Sequence, residues 1–584
     1  MVKKLGTLKK DIPLVFALVL FLLWITPGLL GRDLWKADEP YSFGIVNHIV
    51  KTGDLVVPTL AGEPFMEKPP LFYLTAAGFV KLFSPPLQPH DAARLASAFY
   101  LLLTLVFMGL AARETLGREL ISAVLLILIG SIGLQVTAHK LITDNAMLSG
   151  FSMAIYGLVL CSRRPVVGGF WAGTGAGIGF MAKGLLAPGL IALTVLTLFV
   201  VFPDWRKKIS LQCRLSAYIA VLPWLVVWPA ALYVRSPELF NEWFWFQNIG
   251  RFLGVSFVGR EFSPFYYFLH LPWFALPSLP IALWTIWRNK GDWGQHPGMQ
   301  VPLVTLLVMF IVLSLSSSIR EIYALPMLLP LALLAASGVD MLPESAKKTI
   351  NRISLILFAS LAAALWIGWI ITLSGGPQFL AHQLHQLQPD FVPVFNLSLF
   401  AIASFYTVLW LCMIVRSARS EHYYLHTWTF GIVLVWGLLM TLWLPWLEAG
   451  ASDRPLFTSL REHLSATSRS VMTLGFGESE RALLEYYTGV VPQPVFDEPE
   501  RALCRQSEDW VSRLFWHKRS LHCDWLLVAG STWLDNLPPG SQWDVVWEGR
   551  HPIDSSVKAK DEFTLLRRNG GKMLCDDSVP VMWQ

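Results

Sequence analysis

Two short charged motifs lie in one polar stretch near the N-terminus, residues 32–91. The first is the acidic pair Asp38 and Glu39, and the second is Glu67 and Lys68, which two prolines follow. A carboxylate can take a proton from an attacking hydroxyl, and a lysine fixed by a rigid proline turn can bind a phosphate as a point charge. These residue types therefore favour group transfer on a substrate that carries a phosphate.

Both motifs also have ordinary structural explanations. Asp38 could cap a helix, and Glu67 with Lys68 could be an exposed salt bridge worth at most about 1 kcal/mol. However, the polar stretch lies between two apolar segments, and charges held at a membrane surface are costly unless they serve a function. We therefore interpret residues 32–91 as an active-site loop, with Asp38 and Glu39 as candidate catalytic residues.

The composition predicts that the rest of the chain is a membrane scaffold. Of 584 residues, 54% are hydrophobic and 15% charged, whereas soluble domains carry about 25% charged residues. The mean hydropathy is +0.50. The net charge of +5 is mild and gives no footprint of nucleic-acid binding.

Recurring apolar runs predict a polytopic α-helical membrane protein with about thirteen spans. The runs cover residues 12–31, 92–112, 120–136, 145–161, 166–181, 185–202, 215–233, 264–287, 301–314, 322–338, 353–373, 395–415 and 428–447. Three further segments, residues 41–51, 71–83 and 238–252, are typical of helices that lie in the membrane interface. The transmembrane domain is therefore expected to cover residues 1–447.

The charges of the turns predict the orientation. Alternate turns are basic, and the positive-inside rule places them in the cytoplasm together with the N-terminus. Residues 32–91 then face outward, which in a bacterium is the periplasmic side of the inner (plasma) membrane.

The composition changes after residue 447. Strand-like runs at 470–476, 525–529, 543–547 and 563–566 alternate with helix-like stretches at 478–487 and 500–514. This alternation predicts a small periplasmic α/β domain over residues 448–584. An oxidising compartment permits a Cys504–Cys523 disulfide. Near the inner face, three cysteines are expected to be ordinary residues: Cys161, Cys213 and Cys412.

Isolated cations recur near the outer face. Lys183 lies between two apolar spans with no acid nearby in sequence, and Arg251 and Arg320 share this character. A cation at such a depth needs a partner or an anionic ligand. Together with Lys68 these residues predict an anion-binding site. Asp144 lies at the outer end of a span, where it could also serve as a helix cap.

These motifs carry a family resemblance. WKADEPYSFGIV, GDLVVP and MEKPPLFY, then GFMAKG around Lys183, FWFQNIGRF around Arg251 and IREIYALP around Tyr323, resemble bacterial aminoarabinose transferases that modify lipid A. More broadly, they resemble the GT-C membrane glycosyltransferases, which include protein O-mannosyltransferases. The resemblance covers most of the membrane part in the same order.

The resemblance implies a polyprenyl-phosphate sugar donor, lipid A or another glycan or protein as acceptor, inverting transfer on the outer face and no nucleotide cofactor. With the motif analysis it gives these candidate roles: Asp38, Glu39 and Asp144 in catalysis, and Lys68, Lys183, Arg251, Arg320 and Tyr323 in binding the donor phosphate.

A divalent metal, with Glu67 as a candidate ligand, is a further implication. Relatives typically have Glu-His where this chain has Gln247 and Asn248, so a candidate metal ligand is replaced. Arg320 also stands where relatives often carry lysine, which suggests a different acceptor pocket.

Other functions stay open at this point. A relative that acts on a protein or a polysaccharide would share the donor chemistry. A transporter of lipid-linked sugars is a further alternative, although paired repeats and broken midplane helices typical of transporters are not evident. A structural membrane protein with a partner-binding outer domain would leave Asp38 and Lys68 without a chemical role.

Overall fold

The structure is a computed structural model that describes residues 14–250, 263, 265–290, 297–316, 319–388, 391–464, 470–494, 525–530, 543–550 and 562–568. Most of these residues are helical, because apolar segments that leave water must satisfy every backbone polar group internally.

The helices follow the predicted apolar runs closely. They are α1 (Leu14–Ile25), α2 (Asp38–Thr52), α3 (Leu71–Phe83), α4 (Pro89–Thr115), α5 (Ile121–Ile129), α6 (Ile132–Ala138), α7 (Asp144–Leu160), α8 (Pro165–Lys183), α9 (Leu186–Val201), α10 (Trp205–Lys208), α11 (Leu211–Arg235), α12 (Pro237–Asn241), α13 (Tyr266–Phe274), α14 (Ser278–Arg288), α15 (Pro297–Ser314), α16 (Leu328–Ser337), α17 (Glu344–Ser374), α18 (Gln378–Leu387), α19 (Leu397–Ser417), α20 (Tyr423–Leu439), α21 (Leu444–Ala451), α22 (Arg454–His463) and α23 (Glu478–Thr488). A π-helical segment, Glu242–Gly250, follows α12, and 3-10 turns cover Arg118–Leu120, Glu321–Met327 and Val339–Met341.

Four helices of the described part are long and apolar enough to cross a membrane: α4, α11, α17 and α19. Three bent pairs pass the same test together, with bends of 66° for α5–α6, 105° for α13–α14 and 65° for α20–α21, which gives up to seven spans. Every predicted run contains a helix, whereas the total of about thirteen spans stays a prediction.

Glycines let α7 and α8 pack with their backbones almost in contact. A side chain at Gly150 would meet the carbonyl of Gly175, and one at Gly157 would meet the carbonyl of Gly168 at 2.6 Å. Small residues of this kind allow close approach of helices in membranes. The consequence for the site is direct, because α7 begins at Asp144 and its antiparallel neighbour α8 ends at Lys183.

The same close packing joins two cysteines. Cys161 and Cys213 form a disulfide between the end of α7 and the start of α11, with their Cα atoms 6.1 Å apart. Gly168 and Gly169 lie against these two cysteines, so both chain segments approach one turn of α8. The expectation that Cys161 and Cys213 are ordinary residues was wrong, whereas the Cys504–Cys523 prediction lies outside the described residues.

Residues 32–91 form a compact layer at one end of the bundle. Helices α2 and α3 match the two predicted interfacial segments, and between them β1 (Thr59–Leu60) and β2 (Glu63–Pro64) pair antiparallel. The buried side of α2 packs against both α3 and α23.

Residues beyond α22 contribute a five-stranded sheet. Its strands are β3 (Ser470–Leu474), β4 (Val491–Pro494), β5 (Trp525–Ala529), β6 (Trp543–Arg550) and β7 (Glu562–Arg568), in the order β4-β3-β5-β7-β6. The first three strands of that order are parallel to one another, and β7 runs antiparallel to both of its neighbours, β5 and β6. The four strand-like runs and the helix-like stretch 478–487 are confirmed, and the predicted helix 500–514 lies outside the described residues.

Candidate active site

The ends of four helices meet at residues 32–91, the predicted active-site loop. Helix α2 begins at Asp38 and α7 at Asp144, α8 ends at Lys183, and Arg320 follows α15. Because neighbouring helices run in opposite directions, these termini gather at one end of the bundle. The structure therefore brings residues together that are far apart in sequence.

Asp38 lies in a small network of hydrogen bonds. The Nη2 of Arg320 donates to both carboxylate oxygens, at 3.0 and 3.1 Å. The Tyr41 hydroxyl donates to the same carboxylate at 3.2 Å, and Lys68 Nζ in turn donates to that hydroxyl at 2.6 Å. Burial alone would raise the pKa of Asp38, but the charges of Arg320 and Lys68 outweigh it and lower that pKa. Asp38 is therefore an ionised carboxylate at neutral pH.

Lys68 is buried and remains charged. Its Nζ lies 3.7 Å from the Glu67 carboxylate and 4.8 Å from the centroid of the Tyr41 ring. Burial by itself lowers the pKa of Lys68, but the charge of Glu67 more than compensates and raises it above its ordinary value. The lysine can therefore offer a full positive charge to an anionic ligand.

Asp144 and Lys183 form the third ion pair of the site. Their side chains meet at 2.6 Å, and the ammonium group lies 4.8 Å from the centre of the Tyr323 ring. Both side chains are at most one-tenth exposed. The partner of Lys183, which could not be found from the sequence, is thus Asp144. The glycine-mediated packing of α7 on α8 places the two side chains next to each other.

A cavity of about 530 Å³ opens beside these pairs, within the range of typical small-molecule sites. Its polar end is lined by Glu67, Lys68, Lys183, Gln247, Asn248, Ser316, Arg320 and Tyr323. Its apolar wall is lined by Leu185, Leu186, Gly189, Leu190, Leu193, Ile249, Val312 and Leu313. The α9 residues of this wall recur at helical spacing and so form one continuous face. The cavity suits an amphiphile with a compact anionic head.

Glu39 points away from this cavity. Its side chain is 2% exposed, and its carboxylate is bound by the guanidinium groups of Arg32 and Arg94 and by the backbone N–H of Leu141. Burial alone would raise the pKa of Glu39, but the two guanidinium groups hold it well below its ordinary value. The side chain of Glu39 therefore takes no part in the hydrogen-bond network of Asp38. The contacts of Glu39 are those of a buried structural ion pair.

The other predicted residues have mixed outcomes. Arg251 lies outside the described residues. Gln247 and Asn248 line the cavity, and Asn248 ties two segments together: its Oδ1 accepts from Leu185 N at 3.1 Å and its Nδ2 donates to Trp243 O at 2.8 Å.

The metal prediction was tested on the side chains present. In the part of the chain that the structure describes, no group of three or more His, Cys, Asp or Glu side chains could hold a metal ion. Glu67 has Lys68 beside it, and the same polar end of the cavity offers the amides of Gln247 and Asn248. A divalent metal therefore stays a prediction, because one carboxylate together with the phosphate oxygens of a substrate can hold Mg²⁺.

Sequence reasoning missed Tyr41 and the apolar wall. Tyr41 lies three residues after Asp38 on a helix, a spacing that places both side chains on one face and could have identified it. The apolar wall gave no signal, because lipid-facing, core-facing and cavity-facing leucines look alike in sequence.

Comparisons with known proteins place this arrangement in a family. A family model described as dolichyl-phosphate-mannose-protein mannosyltransferase matches residues 67–233. An undecaprenyl phosphate-α-4-amino-4-deoxy-L-arabinose arabinosyl transferase of Edwardsiella ictaluri is 30% identical over 393 residues, which cover 63% of this chain and 67% of that protein. The chain belongs to this arabinosyl transferase family. The corresponding Serratia proteamaculans protein is 27% identical, with 71% and 73% of the two chains covered.

Solved structures agree with the fold of an arabinosyl transferase. ArnT from Cupriavidus metallidurans bound to undecaprenyl phosphate superposes with a TM-score of 0.69 at 18% identity, over 94% of this chain and 97% of that one. The Archaeoglobus fulgidus oligosaccharyltransferase in complex with Zn and sulfate superposes at 0.50 with 12% identity, over 89% and 69%. The predicted family is confirmed, and the chain is an integral membrane glycosyltransferase.

Proposed function

We propose that this chain transfers 4-amino-4-deoxy-L-arabinose from undecaprenyl phosphate to a phosphate of lipid A, with inversion at the anomeric carbon. The observation that carries the proposal is the cavity beside Asp38. Three cations line its polar end, and a leucine-rich wall runs along α9. Related proteins are named for an undecaprenyl phosphate-linked aminoarabinose donor, an amphiphile of the kind that this cavity suits.

The cations bind the donor and stabilise the leaving group. Lys68, Lys183 and Arg320 surround the phosphate, and the hydrocarbon chain follows the apolar wall towards the membrane. The bond between the anomeric carbon and the donor phosphate oxygen breaks, and its electron pair leaves with undecaprenyl phosphate. Asp144, Tyr41 and Asp38 hold these cations at the cavity, where positive charge stabilises the negative charge that develops on the departing oxygen.

Asp38 acts on the acceptor. An acceptor phosphate is already ionised near neutral pH, so its oxygen attacks the anomeric carbon without losing a proton. Asp38, held ionised by Arg320, then orients the nucleophile and stabilises positive charge that develops on the sugar. Asp144 holds Lys183 at the cavity, and Glu39 has a structural role in the Arg32–Arg94 cluster.

The membrane topology belongs to the same proposal. About thirteen spans place the N-terminus in the cytoplasm and the cavity on the periplasmic side of the inner membrane. Residues 1–447 form the membrane domain, and residues 448–584 form a periplasmic α/β domain above the cavity.

A protein acceptor is the second candidate, because the matching family model is described as a protein mannosyltransferase. With a serine or threonine hydroxyl as nucleophile, the proton would have to leave during attack. Asp38 would accept it as general base, a role worth roughly 10²–10⁴-fold in rate.

Mass spectrometry of products from the purified chain in liposomes tests the proposal. The liposomes carry undecaprenyl phosphate-linked aminoarabinose and, in separate samples, lipid A or an acceptor peptide mixture. We expect an aminopentose increment on lipid A with the wild type and none with Asp38→Asn. Asp340→Asn is the matched control, because that carboxylate is exposed and paired with His422 instead. An increment on peptides alone would favour the second candidate, and no increment on either acceptor with the wild type would refute the proposal.

A further inference from the structure

The five residues that precede Asp38 are held by residues from beyond position 447. We call residues 33–37 the approach segment. At its first residue, the N–H of Asp33 donates to the Glu448 carboxylate, and Ser452 Oγ donates to the Asp33 carboxylate at 2.8 Å. Arg454 adds an ion pair at 3.3 Å. Trp35 then pairs with Ser452 as an antiparallel backbone bridge.

The last two residues of the approach segment are also held from beyond position 447. Lys36 Nζ lies 2.9 Å from the Asp453 carboxylate and 3.1 Å from that of Glu480. Ser479 Oγ donates to the carbonyl oxygen of Ala37, the residue directly before the catalytic aspartate. Two of these partners, Ser479 and Glu480, lie in the first turn of α23.

These contacts have a consequence for catalysis. The position of a side chain at the first residue of a helix depends on where the preceding peptide is held. Small displacements matter at such a place, because a misplacement of about 1 Å can reduce a rate by about 10²-fold. The approach segment is fixed by a separate part of the chain, so it can hold the carboxylate of Asp38 in place while the cavity admits a substrate.

We propose that the start of α23 is a positioning element of the active site, in which Ser479 and Glu480 set the place of Asp38 through Ala37 and Lys36. The residues after position 447 thus complete the catalytic machinery. This inference rests on the proposed function, because it needs Asp38 to act in transfer.

A second ion pair on the same helix supplies a matched control. At the other end of α23, Glu485 pairs with Lys51 near the end of α2, at 3.1 Å. This pair also joins α23 to α2, but lies at the far end of both helices from Asp38. Replacement of Glu485 by glutamine therefore removes one ion pair between α2 and α23 without touching the approach segment.

The experiment compares Ser479→Ala, Ser479→Thr, Glu480→Gln and Glu485→Gln, with kcat, donor KM and thermal midpoint measured for each purified protein. We expect kcat to fall about tenfold for Ser479→Ala and Glu480→Gln. We expect the donor KM to stay within about twofold, because the cations of the cavity are untouched. Ser479→Thr retains the hydroxyl and is expected to restore kcat, and Glu485→Gln is expected to leave it unchanged.

Hydrogen exchange supplies a readout that does not depend on transfer. We expect faster amide exchange in residues 33–40 of Ser479→Ala and unchanged exchange in α3. The inference is overturned if Glu485→Gln lowers kcat as much as Glu480→Gln, or if all four variants match the wild type in kcat and exchange. A wild type without transfer would instead refute the proposed function, while the exchange data would still report on the approach segment.

Discussion

Replacement of Glu39 by glutamine removes a carboxylate charge that two buried guanidinium groups share. Arg32 and Arg94 are 3% and 0% exposed, so both would keep their charges inside the protein. Removing one partner of a buried ion pair costs about 3–5 kcal/mol. An unfolding entropy of about 2.1 cal/mol/K per residue, summed over 584 residues, converts this loss into a fall of about 2–4 °C if the chain unfolds as one unit.

The assay measures thermal midpoint and kcat on the same detergent-solubilised preparations, with Asp38→Asn beside Glu39→Gln. We expect opposite results for the two neighbours. Glu39→Gln should unfold at lower temperature and retain kcat within about twofold per folded molecule, because its side chain faces away from the cavity. Asp38→Asn should lose transfer, with a smaller change in midpoint, because its carboxylate is 20% exposed and solvent screens its pairing. A Glu39→Gln protein with an unchanged midpoint and a lost kcat would refute this reasoning and make Glu39 catalytic.

Three further predictions follow from the ion pairs and the close packing. Arg320→Gln removes the strongest influence that lowers the pKa of Asp38, so the acid limb of kcat/KM should move to higher pH than in the wild type; an unmoved limb would show that ionisation of Asp38 does not govern it. Lys183→Met removes one charged hydrogen bond to the donor phosphate, worth about 1.5–3 kcal/mol, and should raise the donor KM by about 10–150-fold; a KM within twofold would exclude Lys183 from donor binding. Gly184 has a φ of +66°, and a side chain there would overlap Asn248 Oδ1, so Gly184→Ala should lower both thermal midpoint and activity. The control is Gly78→Ala, where a Cβ would meet no atom within 4 Å, and equal midpoints for the two alanine variants would contradict the prediction.

The positions of the helices could be predicted from the sequence, because an apolar run of membrane length has few alternatives to a helix. The bends could not be predicted. Hydropathy reports the composition of a segment and is independent of its direction, so residues 264–287 resemble one span although α13 and α14 meet at 105°. For the same reason hydropathy alone does not set the number of spans.

The site shows the same division. Asp38 and Lys68 could be predicted because their motifs are local and unusual in an apolar chain. Their partners could not, since Asp144 and Lys183 are 39 residues apart and Asp38 and Arg320 are 282 apart. Each pair exists only because particular helices become neighbours. The burial of Glu39 could not be predicted either, because adjacent residues on a helix point in different directions and only the packed structure decides which of them is enclosed.

The three cations described at the cavity each have a carboxylate partner, namely Glu67 for Lys68, Asp144 for Lys183 and Asp38 for Arg320. Among the described residues these charges cancel, so the three pairs exert little long-range attraction on free inorganic phosphate or on other small anions that diffuse past. A lipid-linked phosphate gains in addition about 0.8 kcal/mol for each methylene that it buries. Local neutrality combined with an apolar wall would thus let the site discriminate by the tail of its ligand, and would keep it from being occupied by the abundant anions of its surroundings.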